Sequence, residues 1–123
     1  MEINAETVTI NGIEYVKKSD LLQVVPMQDG MKYVIVRTYS AGVFAGYLES
    51  RNGQEVVMRT ARRIWYWDGA ASLSQMAVEG VKKPENCKFA MAVDRVELLQ
   101  AIEILDCTSK SKKCIESVNV WKQ

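Results

Sequence analysis

Short runs of alternating apolar and polar residues, separated by two- and three-residue turn signals, constrain this chain more than any other feature. Tyr33–Tyr39 alternates with Val34 and Val36 on one face and Tyr33, Ile35, Arg37 and Tyr39 on the other. Ser40-Ala41-Gly42 then breaks the run, and Val43–Arg51 resumes it. Asn52-Gly53 is a hairpin signal that leads into a longer run over residues 55–67. Strands joined by tight turns pair with their sequence neighbours, so the pattern predicts an antiparallel meander.

The remaining punctuation predicts two helices. Asp68 is placed to cap a helix running to about Val78, with Gly80 near its end. Ala70, Leu73, Met76 and Ala77 follow helical spacing and are expected to face the sheet. Residues 82–86 read as a loop, and residues 88–107 as one or two further strands. Thr108 caps a short basic helix through Ser117, after which Val118–Trp121 is expected at a sheet edge. Residues 6–16 read as a hairpin around Asn11-Gly12. Residues 1–30 are therefore taken as an N-terminal hairpin extension and 31–123 as the main domain. The expected fold class is α+β, a mostly antiparallel sheet packed with two helices.

Composition narrows the function. The 123 residues carry a net charge of +1, which gives no global field for holding long nucleic acid. No apolar run reaches the ~20 residues of a membrane span. Met1–Glu6 has no apolar signal region, so a cytosolic location is expected. There is no histidine, and Cys87, Cys107 and Cys114 form no close pair. A zinc site and a cysteine–histidine or serine–histidine catalytic pair are thereby disfavoured. The expectation is a binding protein with no cofactor, metal or catalytic residue.

The binding chemistry concentrates at Ala61–Ser72, where Arg62 and Arg63 precede Trp65, Tyr66 and Trp67. Period-2 alternation puts Arg63, Trp65 and Trp67 on one strand face and Arg62, Ile64 and Tyr66 on the other. Aromatic faces stack bases, and arginines pair phosphates. Backbone N–H groups from Gly69 to Ala71, with the Ser72 hydroxyl, are candidate phosphate donors at a helix start. Arg37 with Tyr39, Ser40 and Gly42 forms a second candidate, where small residues admit a ligand close to the backbone. The run Lys110–Lys113 reads as a solvated helix face.

Four blocks, Tyr33–Leu48, Ala61–Gln75, Gly80–Phe89 and Ile102–Thr108, resemble a family of small bacteriophage proteins, the first type of Thoeris anti-defence protein. The resemblance covers about residues 31–121. It implies a non-catalytic sponge that holds cyclic ADP-ribose isomers made by bacterial TIR-domain enzymes in the cytoplasm of the infected host. It also implies a homo-oligomer built from dimers, with some members taking cyclic di- or trinucleotides at a second site. Beside that expectation, Trp65, Trp67, Tyr39 or Phe89 would stack the base, and Arg37, Arg62 or Arg63 would meet the pyrophosphate. Arg63 is favoured because it shares a face with Trp65 and Trp67. The rival readings are a single-strand or RNA-binding module and a structural phage subunit whose aromatics fill an interface.

Overall fold

A computed structural model describes residues 27–123; the expected hairpin at residues 6–16 lies outside them. Strand β1 (Met27–Gln28) turns into β2 (Met31–Thr38) through Asp29-Gly30, both at positive φ (54° and 78°), as a type I′ turn requires. Strands β3 (Val43–Asn52) and β4 (Glu55–Tyr66) form the longest hairpin. Its two loop residues are Gly53 and Gln54, one position later than the Asn52-Gly53 signal, with Gly53 alone at positive φ (63°). The turn after β2 is closed by Thr38, whose N–H and hydroxyl both donate to the Gly42 carbonyl at 3.0 and 2.7 Å. Strands β5 (Lys88–Phe89), β6 (Val93–Leu98) and β7 (Ala101–Asp106) complete a seven-stranded sheet in which all strand pairs are antiparallel. The chain is thus an α+β protein with a mostly antiparallel sheet and two helices.

The sheet curls, and its connectivity requires this. Strands β6 and β7 are joined by Leu99-Gln100 alone, yet β6 pairs with β4 and β7 with β2, on opposite sides of β3. The hairpin tip bends back until Ala101 N–H donates to the Gln54 carbonyl at 2.9 Å. Inside the curl lies one apolar core of Val34, Val36, Phe44, Val56, Met58 and Leu98. The outer face carries a second core of Tyr33, Ile35, Tyr47, Ile64 and Phe89, covered by the helices. Strand β2 is therefore buried on both faces from Tyr33 to Val36.

A bulge in β4 decides which residues enter which core. Thr60 sits at φ 49°, and Thr60 and Ala61 together span the single position opposite Gly46, between the pairs Tyr47–Arg59 and Ala45–Arg62. Val56, Met58 and Ala61 face the inner core, and the extra residue then switches the parity so that Arg62 and Ile64 face the outer one. The crowded partner must be glycine: a Cβ on Gly46 would lie 2.8 Å from Ala61 Cα and 3.0 Å from the Thr60 carbonyl oxygen.

Helix α1 (Leu73–Glu79) starts at Ser72, whose hydroxyl accepts from Gln75 N–H at 3.1 Å. It ends at Gly80 (φ 79°), as expected. Asp68 is not its cap. Residues 67–72 are non-helical, and the Asp68 carboxylate accepts instead from Asn86 Nδ2 at 2.9 Å. A short 3-10 turn follows at Pro84–Asn86. Helix α2 (Ser109–Ser117) is capped by Thr108 as expected. Its first turn is tied to the end of α1, because Thr108 Oγ1 donates to the Val78 carbonyl and Ser111 Oγ to that of Met76, at 2.7 and 2.6 Å. The Val78 carbonyl lies in the last turn of α1, and the Met76 carbonyl also accepts from the Gly80 N–H at 2.8 Å.

Two outcomes are expected. Gly46→Ala should destabilise by about 1–3 kcal/mol through overpacking against β4, measurable by chemical denaturation. The second concerns Cys107, which is fully buried; burial pushes its thiol up to about 11. A group raised on folding contributes stability that is complete below its unfolded value and lost as pH rises through its folded value. Stability should therefore fall between about pH 9 and about pH 11, and Cys107→Ala should flatten that slope in urea titrations, whatever it does to the plateau.

Candidate functional site

The two arginines at the centre of β4 have opposite fates. Arg62 is 6% exposed and works as a structural clamp. Its Nε donates to the Ala90 carbonyl (2.9 Å), Nη1 to those of Ile115 (2.8 Å) and Val118 (2.9 Å), and Nη2 to that of Phe89 (3.1 Å). The Phe89 ring lies 5.5 Å from its guanidinium carbon. Desolvation pulls the Arg62 pKa down, with Tyr33 opposing. Two of the four carbonyls belong to the end of α2, where the helix dipole favours a cation. Arg62 is thus committed to the fold.

Arg63 points the other way. It is exposed, its guanidinium lies 4.6 Å over the Phe44 ring, and no described carboxylate pairs with it. Trp65 shares that face and is 65% exposed. It stacks on Trp121 with ring centroids 6.1 Å apart and planes 12° from parallel. Trp121 is held there because its N–H donates to the Phe89 carbonyl at 2.9 Å, and Val120 bridges Phe89 in parallel. Lys88 Nζ lies 5.5 Å from the Trp121 ring. The result is an open surface of two parallel indoles flanked by two cations. Trp121 and Lys88 were not among the residues expected there. Trp121 lies outside every alternating run, and only the β5–Val120 bridge brings it to β4.

The other expected residues are dispersed. Trp67 does not continue the Trp65 face, because β4 ends at Tyr66 after a register shift. Its indole packs on the outer core and donates to the Ala70 carbonyl at 3.1 Å. Phe89 is fully buried, so its ring is closed to a base. Gly69 (φ 97°) packs against the backbone of Lys82 and Lys83, where a Cβ would meet both nitrogens at 2.5 Å. Ala71 N–H donates to Gln75 Oε1 at 2.7 Å, and Ser72 is the helix cap. The Gly69–Ser72 stretch is therefore a turn and not a helix start, and the expectation of phosphate donors at a helix start there is corrected: the helix begins at Leu73, and the Ala71 N–H is taken by Gln75.

Arg37 lies on the opposite face from Arg63 and donates to Glu103 at 3.0 Å, with both side chains about half exposed. Tyr39 is 77% exposed, and Ser40 donates to Gln100 Oε1 at 3.2 Å. Gly42 (φ 100°) serves the β2–β3 turn. Extending the register one step past Val43–Ile64 brings Gly42 across from Trp65. The structure thus gathers Gly42, Arg63 and Trp65 at one end of the sheet and places Arg37 behind it.

The family model described as a domain of unknown function, DUF6948, matches residues 31–115, and the chain belongs to that family. The match runs from β2 into α2 and includes Arg63, Trp65 and Lys88. No curated protein and no solved structure matches the chain. Among the described residues no helix is long and apolar enough to cross a membrane.

Replacing the clamp tests its role directly. Arg62→Met should cost about 2–6 kcal/mol, since it leaves the Ala90 and Val118 carbonyls without a donor and each such acceptor costs about 1–3 kcal/mol. Thermal and urea unfolding would read the loss.

Proposed function

We propose that this protein sequesters small cyclic nucleotides of the cyclic ADP-ribose type without altering them, as a phage anti-defence protein in the cytoplasm of an infected bacterium. The exposed Trp65–Trp121 stack between Arg63 and Lys88 carries this reading. A base extends an existing aromatic stack with about 1–3 kcal/mol per base. Arg63 has no described carboxylate to displace and would meet the pyrophosphate through charge-assisted hydrogen bonds. Arg37, already held by Glu103, is set aside for that role. The absence of histidine from the whole chain suits a protein that keeps its ligand intact. The net charge of +1 argues against a groove for long single strands.

The same aromatic surface fits a contact between copies of the chain, since aromatics are enriched at interface cores. A homo-oligomer built from dimers would enclose the ligand at that contact. A structural subunit that uses the surface for assembly alone is the second reading.

Native mass spectrometry of the full chain, alone and with cyclic ADP-ribose isomers, separates them. The expected result is an oligomer that gains the mass of intact ligand and releases the cyclic form unchanged on heating. Trp65→Ala should weaken binding by about 1–3 kcal/mol and Arg63→Ala by about 1.5–3 kcal/mol, measured by isothermal titration. An oligomer that gains no ligand, with cyclic di- and trinucleotides tried as well, would leave the structural subunit. Recovery of linear ADP-ribose would make the protein an enzyme.

A further inference from the structure

A cavity of about 270 Å³ opens on the helix-covered side of the sheet, lined by Tyr33, Thr60, Arg62, Glu116, Val118 and Val120 among others. It is separate from the indole surface: Val120 lines it, whereas the next residue, Trp121, stacks on Trp65 on the other face. Three of its lining residues are unusual. A guanidinium carries five N–H donors, and carbonyls take four of those on Arg62, so one on Nη2 has no partner among the described residues. No described carboxylate neutralises this buried cation, although burying a charge without a counter-charge is costly. Tyr33 is 1% exposed, and its hydroxyl has no hydrogen-bond partner among the described residues. Burial pushes the Tyr33 phenol well above its ordinary value, so it is a protonated donor at neutral pH. Thr60 is β-branched and yet held at positive φ (49°), and strained backbone of this kind concentrates at ligand sites.

We propose that this cavity binds the anionic oxygen group of a small ligand, a carboxylate or a phosphate, between the Arg62 guanidinium and the Tyr33 hydroxyl. The inner wall supplies donors, which an oxyanion needs and a cation cannot use. Val118, Val120 and Ala92 offer an apolar wall for the rest of the ligand. Glu116 is the opposing charge at the rim, and Lys112 holds it at 3.0 Å. With Arg62 and Lys112 set against Glu116 the site carries one net positive charge, which matches a monoanion better than a dianion. The site stands independently of nucleotide sequestration at Trp65.

The test is a titration of the full chain with sodium acetate and, separately, with inorganic phosphate, using chloride at equal ionic strength as control. The readout is the Arg62 Nε–H signal in nitrogen-15 NMR spectra. A saturable shift with acetate assigns a carboxylate ligand, and a stronger one with phosphate assigns a phosphoryl ligand. Tyr33→Phe keeps the ring and removes only the donor, so it should weaken binding about tenfold or more, as loss of a hydrogen bond to a charged group does. Glu116→Gln removes the rim repulsion from the exposed side and should tighten binding. No saturable shift with either anion overturns the proposal. So does an affinity that fails to move in the stated direction in either variant.

Discussion

The Arg62 guanidinium holds together parts of the molecule that adjoin nowhere in sequence. Its four hydrogen bonds join β4 to the β5 segment at Phe89 and Ala90, and to the end of α2 at Ile115 and Val118. The Ala90 and Val118 carbonyls would otherwise lack a donor, while those of Phe89 and Ile115 share Arg62 with the backbone N–H groups of Trp121 and Val118. The clamp depends in turn on the Thr60 bulge. Without the extra residue, strict alternation from Met58 would send Arg62 into the inner apolar core and put Arg63 under the helices. Gly46 permits the bulge, because no other residue leaves room for the β4 backbone there. One glycine, one strained threonine and one arginine thus act as a single device. The placement of α2 and of the C-terminal segment that carries Trp121 follows from it.

Local chemistry was legible wherever the signal and the structure act over a few residues. The Ser40–Gly42 turn, the Gly80 stop and the Thr108 cap stand where residue type alone puts them. The separation of Arg62 from Arg63 onto opposite faces follows from alternation, since the bulge precedes both. Which of the two lies inside was not legible, because the bulge that sets the parity leaves no mark except a threonine flanked by ordinary strand residues. The helix start slipped for a related reason. Asp68 and Ser72 are both good caps, and only Ser72 has a glutamine three residues on whose backbone N–H it accepts and whose side chain reaches back to Ala71. Phe89 and Trp67 were misplaced because burial is a tertiary property: both close the outer core against elements distant in sequence.

The site was legible in half. A cationic and aromatic strand face is visible in Arg63 and Trp65, but its second indole arrives from 56 positions further along the chain. No pattern in the primary structure links Trp65 to Trp121. The link is the parallel bridge of Val120 to Phe89, and Phe89 is itself fixed by Arg62. The buried clamp therefore positions the exposed surface: a shift in β5 would carry Trp121 and Lys88 with it.

The two sides of the sheet then divide the work by how completely their polar groups are satisfied. On the helix side the Tyr33 hydroxyl and one Arg62 N–H have no partner among the described residues, and both residues line one cavity. On the other side the indoles of Trp65 and Trp121 remain in water although each could bury a large apolar face. Their mutual stack recovers only part of that hydrophobic free energy, since each ring keeps one face wet. Such a patch is left open at the risk of association, which is why exposed apolar patches mark interaction surfaces. The cations at its margin, Arg63 and Lys88, narrow the choice of what covers it to something aromatic or anionic. The nucleotide proposed above is both.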